Sequence, residues 1–368
     1  MATAVLKKKD ETNMKTYLIT GCAGFIGSNF VIYMLNKYEQ IKIINLDALT
    51  YAGNLENLKS VEGDPRHIFV HGDICDKELV TKLIKEYDPD YVINFAAESH
   101  VDRSIANPMI FVDTNVKGTV NLLQCCKEAW YDAAAKTWKS GKKYLQVSTD
   151  EVYGALGAEG YFTEDTPINP HSPYSASKAS ADHYVQAFHD TYGMPMNITR
   201  CSNNYGYAQM PEKVIPLMIN NCIHHKELPV YGDGMQIRDW LYVEDHCKAI
   251  DMVVNGGKDG EVYNVGGHNE KTNIFIVKTI IKQLNERLGD LEINEGLIKH
   301  VEDRLGHDRR YGIDPSKIKA DLGWYPETPF EVGIVKTIDW YLANTEWMEH
   351  ATSGDYQKYY AEMYKNKQ

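Results

Sequence analysis

Short β-branched runs and stretches of helical spacing alternate through the first two-thirds of the chain. The runs Thr16–Thr20, Ile41–Leu46, His67–His71, Tyr91–Phe95, Lys143–Val147 and Met196–Arg200 read as strands. Gly27–Lys37, Lys77–Tyr87, Val112–Trp130 and Ser175–Thr191 carry the apolar periodicity of helices. Strands separated by helices predict a parallel sheet with right-handed crossovers and helices on both faces. Strand runs that are apolar at nearly every position fit a sheet buried on both sides. After Arg200 the alternation breaks down: Asn203–Pro216 and Tyr231–Trp240 read as loops, Glu261–Val265 as a strand returning to the sheet, and Ile274–Leu288 as a helix.

This pattern predicts an α/β chain: a Rossmann-type doubly wound parallel sheet with a smaller, discontinuous substrate-binding lobe. The sheet domain is expected over residues 14–203 with a returning segment at about 241–268, and the lobe over 204–240 and 269–368. Ligands of such sheets bind outside the carboxyl ends of the strands.

A net charge of −12 argues against nonspecific nucleic-acid binding, which needs a basic surface to displace counterions. No apolar run approaches the roughly 20 residues that span a bilayer, so no membrane association is expected. Residues 1–13 contain Lys7-Lys8-Lys9 with no apolar stretch behind them; they read as an extension and not as a signal peptide. The seven cysteines form no C-x-x-C pair and suggest reduced core residues, hence a cytoplasmic protein without a metal site.

The strand Thr16–Thr20 runs directly into Gly21-Cys22-Ala23-Gly24-Phe25-Ile26-Gly27, which opens a helix. Glycines let the backbone turn and approach a pyrophosphate, and the helix N-terminus offers unpaired N–H groups. A glycine triplet alone is weak, since ordinary turns produce it. Asp47 strengthens it: ending the second strand 20 residues beyond Gly27, it can accept hydrogen bonds from an adenosine ribose and would repel a 2′-phosphate, favouring NAD over NADP. Asp73, after the third strand, can reach the adenine edge or can equally be a solvated loop carboxylate.

Three further segments stand at strand ends or on a helix: Phe95-Ala96-Ala97-Glu98-Ser99, Ser148-Thr149-Asp150-Glu151 and Tyr174-Ser175-Ala176-Ser177-Lys178. Tyr174 and Lys178 share one helix face. A phenol with pKa of about 10 is a poor base at neutral pH, but an adjacent ammonium stabilises phenolate. Tyr174 could then deprotonate a hydroxyl while hydride leaves the same carbon. Asp150-Glu151 adds an acid and a base that a plain dehydrogenase does not need. Taken alone, Thr-Asp-Glu would also suit a helix cap.

These motifs resemble the extended short-chain dehydrogenases/reductases, and within them the dTDP-glucose 4,6-dehydratases, from about Met14 to the C-terminus. The resemblance is carried by Leu49-Thr50-Tyr51-Ala52-Gly53-Asn54, Glu98 to Ser104, Ser148 to Gly154, Tyr174 with Lys178, Ser202 to Gly206, Pro211-Glu212-Lys213, Asp303-Arg304 and Gly306 to Tyr311. It implies NAD held by Gly21, Gly24, Phe25, Ile26, Gly27, Asp47, Thr50, Asp73, Ile74, Ala96, Ala97, Ser99, Tyr174 and Lys178. It implies a nucleotide sugar, dTDP-glucose, held by Ser99, Thr149, Asn203, Lys213, Tyr231, Arg238, Asn273, Arg304 and His307. The implied chemistry is C4 oxidation with Tyr174 as base, C5/C6 elimination with Glu151 as base and Asp150 as acid, and hydride return to C6. A homodimer through the helices Val112–Trp130 and Ser175–Thr191 is also implied.

Two places depart from the family pattern. Leu305 replaces the usual proline, and Tyr207-Ala208-Gln209-Met210 replaces a proline-containing loop, so nucleobase preference is less fixed than the chemistry. The remaining readings are a UDP-glucose 4,6-dehydratase, a nucleotide-sugar 4-epimerase or decarboxylase on the same scaffold, and a noncatalytic NAD-binding scaffold. An epimerase would not need Asp150 and Glu151 together, and a scaffold would not need Tyr174, Lys178 and both carboxyls intact.

Overall fold

β-Branched runs become strands because their side chains pack on a pleated surface that is covered on both sides. In the computed structural model, which describes residues 14–303 and 307–361, the sheet strands are β1 (Lys15–Thr20), β2 (Ile41–Asp47), β3 (His67–His71), β4 (Tyr91–Asn94), β5 (Lys143–Thr149) and β6 (Met196–Cys201). The helices between them are α1 (Phe25–Lys37), α2 (Lys77–Tyr87), α3 (Thr119–Trp130) and α4 (Pro173–Tyr192). Beyond β6 follow β7 (Asn203–Tyr205), α5 (Val214–Ile223), β8 (Leu228–Tyr231), β9 (Ile237–Tyr242), α6 (Val243–Gly256) and β10 (Val262–Val265). The last elements used below are β11 (Glu270–Thr272), α7 (Asn273–Leu288), β12 (Ile298–Val301) and α8 (Phe330–Ala343).

The seven-stranded sheet has the order β10-β6-β5-β4-β1-β2-β3. The pairings β1–β2, β2–β3, β1–β4 and β4–β5 are parallel. Strand order reverses between β1 and β4, which creates the crevice where doubly wound sheets hold ligands. The Rossmann-type sheet expected from the alternation is therefore present, and every strand read from the sequence in it is there.

Contacts divide the chain into two compact units. The first comprises the chain up to Ser148, Pro173–Thr199 and Ile250–Tyr263; the second comprises Thr149–Ser172, Arg200–Ala249 and the chain from Asn264 onward. The core of the first unit packs sheet residues such as Leu18, Ile44, Val92 and Tyr144 against Val80, Ile84, Leu122 and Trp130 of the helices. The core of the second is aromatic, built on Tyr205, Trp240, Tyr242, Phe330 and Tyr341 with aliphatic residues of α5 and α7.

Three expectations change. The stretches read as loops, Asn203–Pro216 and Tyr231–Trp240, hold β7, the start of α5 and most of β9; a three-stranded sheet β11-β9-β7 forms there. They were hidden because β7 has three residues and β9 buries Arg238 and Asp239, charges that read as solvent-facing. The long helix Val112–Trp130 begins with a π-helical segment, Val112–Gly118, before α3. The surface excursion Ala133–Lys142 includes half of a hairpin, Tyr131–Asp132 pairing Thr137–Trp138, pinned where Trp138 donates its indole N–H to Tyr192 O at 2.8 Å. All seven cysteines are free and six are buried, as the sequence suggested.

Candidate active site

The first unit builds a nucleotide cradle at the carboxyl end of β1. Gly21 has φ +72°, and a Cβ there would lie 2.6 Å from Ala96 N. A Cβ on Gly27 would lie 2.4 Å from Gly21 O. Both glycines are therefore required by the loop's own packing. Gly24 is different: a Cβ there would meet only Gly21 O, at 3.3 Å. Its bareness leaves room for a ligand to approach the backbone. Helix α1 starts behind it at Phe25 and Ile26, with no side-chain cap and no acidic residue in its first turn. A helix start of that kind accepts an anion. These residues fit a dinucleotide pyrophosphate.

Asp47 is buried and accepts from Ala23 N and Leu49 N, both at 2.8 Å. Burial raises its carboxyl pKa while the two backbone donors lower it. Its first duty is thus to tie the glycine loop to β2, and each carboxylate oxygen keeps a second lone pair for a ribose hydroxyl. Thr50 is exposed in the turn that follows. Asp73 is exposed after β3, with its side chain accepting from Cys75 N at 2.8 Å. Ile74 is buried against Gly118, where any Cβ would strike it.

Ala96, Ala97 and Ser99 follow β4 and are half-buried. Ala96 N donates to Thr20 Oγ1 at 3.2 Å, and Thr20 Oγ1 donates to Asn94 Oδ1 at 2.6 Å, which anchors this segment to β1. Tyr174 and Lys178 are both buried on α4. Lys178 Nζ donates to Val147 O at 2.7 Å, and the Tyr174 ring meets Phe111 edge-on at 6.3 Å between centroids.

Asn115 is a site residue that the sequence reading missed. It lies in the π-helical segment, buried, and its amide bonds Glu98 N and O at 2.8 and 3.0 Å and Ser177 Oγ at 2.8 Å. Ser177 Oγ in turn donates to Tyr174 O at 2.7 Å. One amide thereby locks the Glu98–Ser99 backbone to the helix that carries Tyr174. A π-turn often marks such a functional position. The available signal was a polar residue on the core face of an otherwise apolar helical pattern.

In the second unit, Thr149 ends β5 and caps a short 3-10 turn, Asp150–Tyr153, accepting from Glu151 N at 3.3 Å. The capping that the triplet also suggested is therefore present. Thr149 Oγ1 also donates to Asp150 Oδ1 at 3.3 Å. Asp150 is 1% exposed, and its Oδ2 has no hydrogen-bond partner among the described residues. Burial, reinforced by the charges of Glu151 and Asp239, holds its pKa well above the ordinary carboxylate range, although Arg238 pulls the other way. Glu151, one residue on, is half-buried. Two adjacent carboxyls in different environments are the arrangement that separates an acid from a base.

The other expected substrate residues of this unit form two groups. Arg238 on β9 is buried, donates to Asp308 O at 2.9 Å and covers the Tyr311 ring at 4.2 Å. Asn203 on β7 pairs in register with Trp240 of β9, and its Oδ1 is buried with no protein partner among the described residues. In the second group, Tyr231 meets His307 edge-on at 6.2 Å, His307 Nδ1 bonds Asp303 at 2.6 Å, and Asp303 accepts from Gln236 at 2.9 Å. Asn273 opens α7 and donates its N–H to Gln236 O at 3.0 Å. Lys213 immediately precedes α5. Arg304 and Leu305 lie outside the described residues.

Comparison with known proteins identifies the family. Residues 18–337 match the protein family described as GDP-mannose 4,6 dehydratase. A dTDP-glucose 4,6-dehydratase of Xanthomonas campestris is 54% identical over 346 residues, covering 94% of this chain and 98% of that one. A dTDP-glucose 4,6-dehydratase of Bacillus anthracis, solved in complex with NAD, is 50% identical with a TM-score of 0.82, covering 92% of this chain and 99% of that chain. One from Streptomyces venezuelae, also solved with NAD bound, is 44% identical with a TM-score of 0.84, covering 91% and 99%.

Proposed function

The chain belongs to the GDP-mannose 4,6 dehydratase family, and from that premise we propose that it is a hydro-lyase converting dTDP-glucose to dTDP-4-keto-6-deoxyglucose and water. The observation that carries the reading is the buried carboxyl of Asp150 beside Glu151, whose Oδ2 has no hydrogen-bond partner among the described residues. A 4-epimerase on this scaffold needs no such pair.

Bound NAD supplies a hydride acceptor that later gives the hydride back, so it is not consumed. Tyr174 takes the proton of the C4 hydroxyl, with Thr149 holding that oxygen. The Lys178 ammonium, fixed by its bond to Val147 O, favours the phenolate that this step requires. The new ketone acidifies C5–H, and Glu151 removes that proton. Asp150, kept neutral by burial, protonates the C6 hydroxyl so that it leaves as water. Glu151 then returns its proton to C5 as C6 is reduced.

Among the remaining residues, Ser99, Asn203, Lys213, Tyr231, Arg238, Asn273, Arg304 and His307 bind the nucleotide sugar in this proposal. Arg and Lys suit its diphosphate. Gly21 to Gly27, Asp47, Thr50, Asp73, Ile74, Ala96 and Ala97 hold the dinucleotide, with residues 14–203 and 241–268 as its domain and 204–240 with 269–368 as the sugar lobe.

Asp150→Asn and Glu151→Gln should each still oxidise C4, seen as bound reduced nicotinamide, while losing dehydration by about a hundredfold or more. Normal turnover by either variant would remove the acid/base assignment. Assays with dTDP-, UDP- and GDP-glucose side by side test the base, with dTDP expected to react fastest.

We further propose a homodimer of a cytoplasmic protein. Met109, Ile110 and Val112 precede α3 and are 63%, 41% and 46% exposed, and Tyr184 on α4 is 45% exposed, which is apolar surface suited to burial by a second copy. Met109→Glu together with Ile110→Glu should give a monomer in sedimentation, and an unchanged dimer would exclude this face. No helix among the described residues is long and apolar enough to cross a membrane.

A further inference from the structure

His246 is a buried titratable side chain to which the proposed chemistry gives no task. It lies in the first turn of α6, which begins directly after β9, and it is fully enclosed. Burial pushes its pKa down to about 3, so the imidazole is neutral and carries one proton. Hydrogen bonds fix where that proton sits. Nδ1 lies 2.8 Å from Asn204 Oδ1, while Nε2 is buried with no hydrogen-bond partner among the described residues. Asn204 donates its own N–H₂ to Ser202 O at 2.9 Å and to Cys201 Sγ at 3.4 Å, which turns Oδ1 toward the ring. The proton is therefore on Nδ1, and His246 donates to Asn204.

Both ends of this bond are held. Beside His246, Asp245 Oδ2 accepts from Glu327 N at 3.1 Å and Thr328 N at 2.8 Å, and Asp245 O accepts from the Trp324 indole at 3.0 Å. These bonds fix the start of α6. On the other side, Gln209 donates to Asn204 O at 3.0 Å. Gly206 brings the end of β7 so close to α6 that a Cβ there would lie 2.5 Å from Val243 Cγ1. β7 needs such an anchor. It has three residues, two of them asparagines, at the edge of the sheet β11-β9-β7. A short polar edge strand has little hydrophobic pattern to set its register. Successive strand residues point to opposite faces, so holding Asn204 on one face sets the direction of Asn203 on the other. Asn203 Oδ1 is buried with no partner among the described residues, which suits an acceptor waiting for a ligand hydroxyl.

We propose that His246 is a positioning residue for the nucleotide sugar: by donating to Asn204 it fixes β7 so that Asn203 meets the substrate. The inference rests on the assignment of Asn203 to the sugar site above. His246 does not touch the substrate and exchanges no proton with it; the imidazole proton stays on Nδ1 throughout.

The test is a double-mutant cycle with NAD-loaded protein and dTDP-glucose. His246→Leu removes the donor and should raise KM about tenfold with kcat within about twofold, because a contact made equally in ground and transition states changes KM alone. Asn203→Ala should raise KM by at least as much. Combining the two should add no more than about twofold to the effect of Asn203→Ala, since His246 acts only through that side chain. His246→Asn, whose N–H₂ can take the place of Nδ1–H, should return KM to within about threefold of the parent. Asn204→Ala removes the acceptor instead of the donor. It should reproduce both the KM rise and the lack of additivity, so the contact stays testable even where Leu at 246 prevents folding. Full multiplication of the effects with Asn203→Ala would reduce His246 to a structural role and overturn the proposal. A parent-like KM in His246→Leu or Asn204→Ala would also overturn it, as would no recovery in His246→Asn. A parent-like KM in Asn203→Ala would strike the assignment of Asn203, and the proposal with it. Failure of the unaltered protein to form any keto-deoxy sugar would strike the dehydratase reading itself and so the site that His246 serves.

Discussion

Asp150 shows most clearly how a single residue acquires its chemistry. Its carboxyl is ordinary in the sequence; the fold favours its protonated form by removing water and leaving Oδ2 with no hydrogen-bond partner among the described residues. The same burial has a thermodynamic signature. Between the ordinary carboxylate pKa of about 3.9 and the raised native value, the unfolded chain releases this proton while the folded chain keeps it. Stability contributed by this group therefore falls as pH rises through that window. Asp150→Asn cannot ionise and should flatten the decline, so thermal melts of parent and variant across neutral pH should converge at low pH and diverge at high pH in favour of the variant. Parallel curves would mean that Asp150 is ionised in the native protein. The carboxyl pair was legible in the sequence by its place after a strand, whereas Asn115 was not, because nothing in a one-dimensional pattern shows that an amide reaches two other segments. Asp47 was legible only in part: its place at the end of β2 could be read, but its bonds to Ala23 and Leu49 could not.

At the level of elements, periodicity located the parallel strands well because most are buried on both faces, as the all-buried β6 illustrates; only the edge strand β3 has no buried residue. It failed in the second unit for the same reason inverted. β7 and β9 hold Arg238, Asp239 and Asn204 in hydrogen bonds, and Asp239 alone accepts from Gly267 N and Asn269 N at 2.8 and 2.7 Å. Polarity that is satisfied internally cannot be told from polarity facing solvent by pattern alone. The glycine loop offers a test at this scale. Gly24→Ala should fold like the parent and lose NAD affinity by about tenfold or more, because only an approaching ligand needs that space. Gly21→Ala should be poorly folded, since its backbone is left-handed and Ala96 blocks the Cβ. Calorimetric NAD titration beside thermal melting separates the two. Parent-like NAD binding by Gly24→Ala would remove the pyrophosphate from this loop.

At the scale of the whole molecule, a sheet unit supplies the glycine loop, Tyr174 and Lys178, and a second unit supplies Thr149, Asp150, Glu151 and the arginine-bearing strand. The chain passes from one unit to the other after Ser148, Ser172, Thr199, Ala249 and Tyr263. The central claim is that oxidation, loss of water and hydride return occur in one closed cycle. Its most direct test is proton NMR of NAD-loaded protein with dTDP-glucose, following the sugar and the cofactor together. The account predicts a new C6 methyl signal on a 4-keto sugar with no net reduced nicotinamide; stoichiometric reduced nicotinamide beside a sugar that keeps its C6 hydroxyl would contradict it.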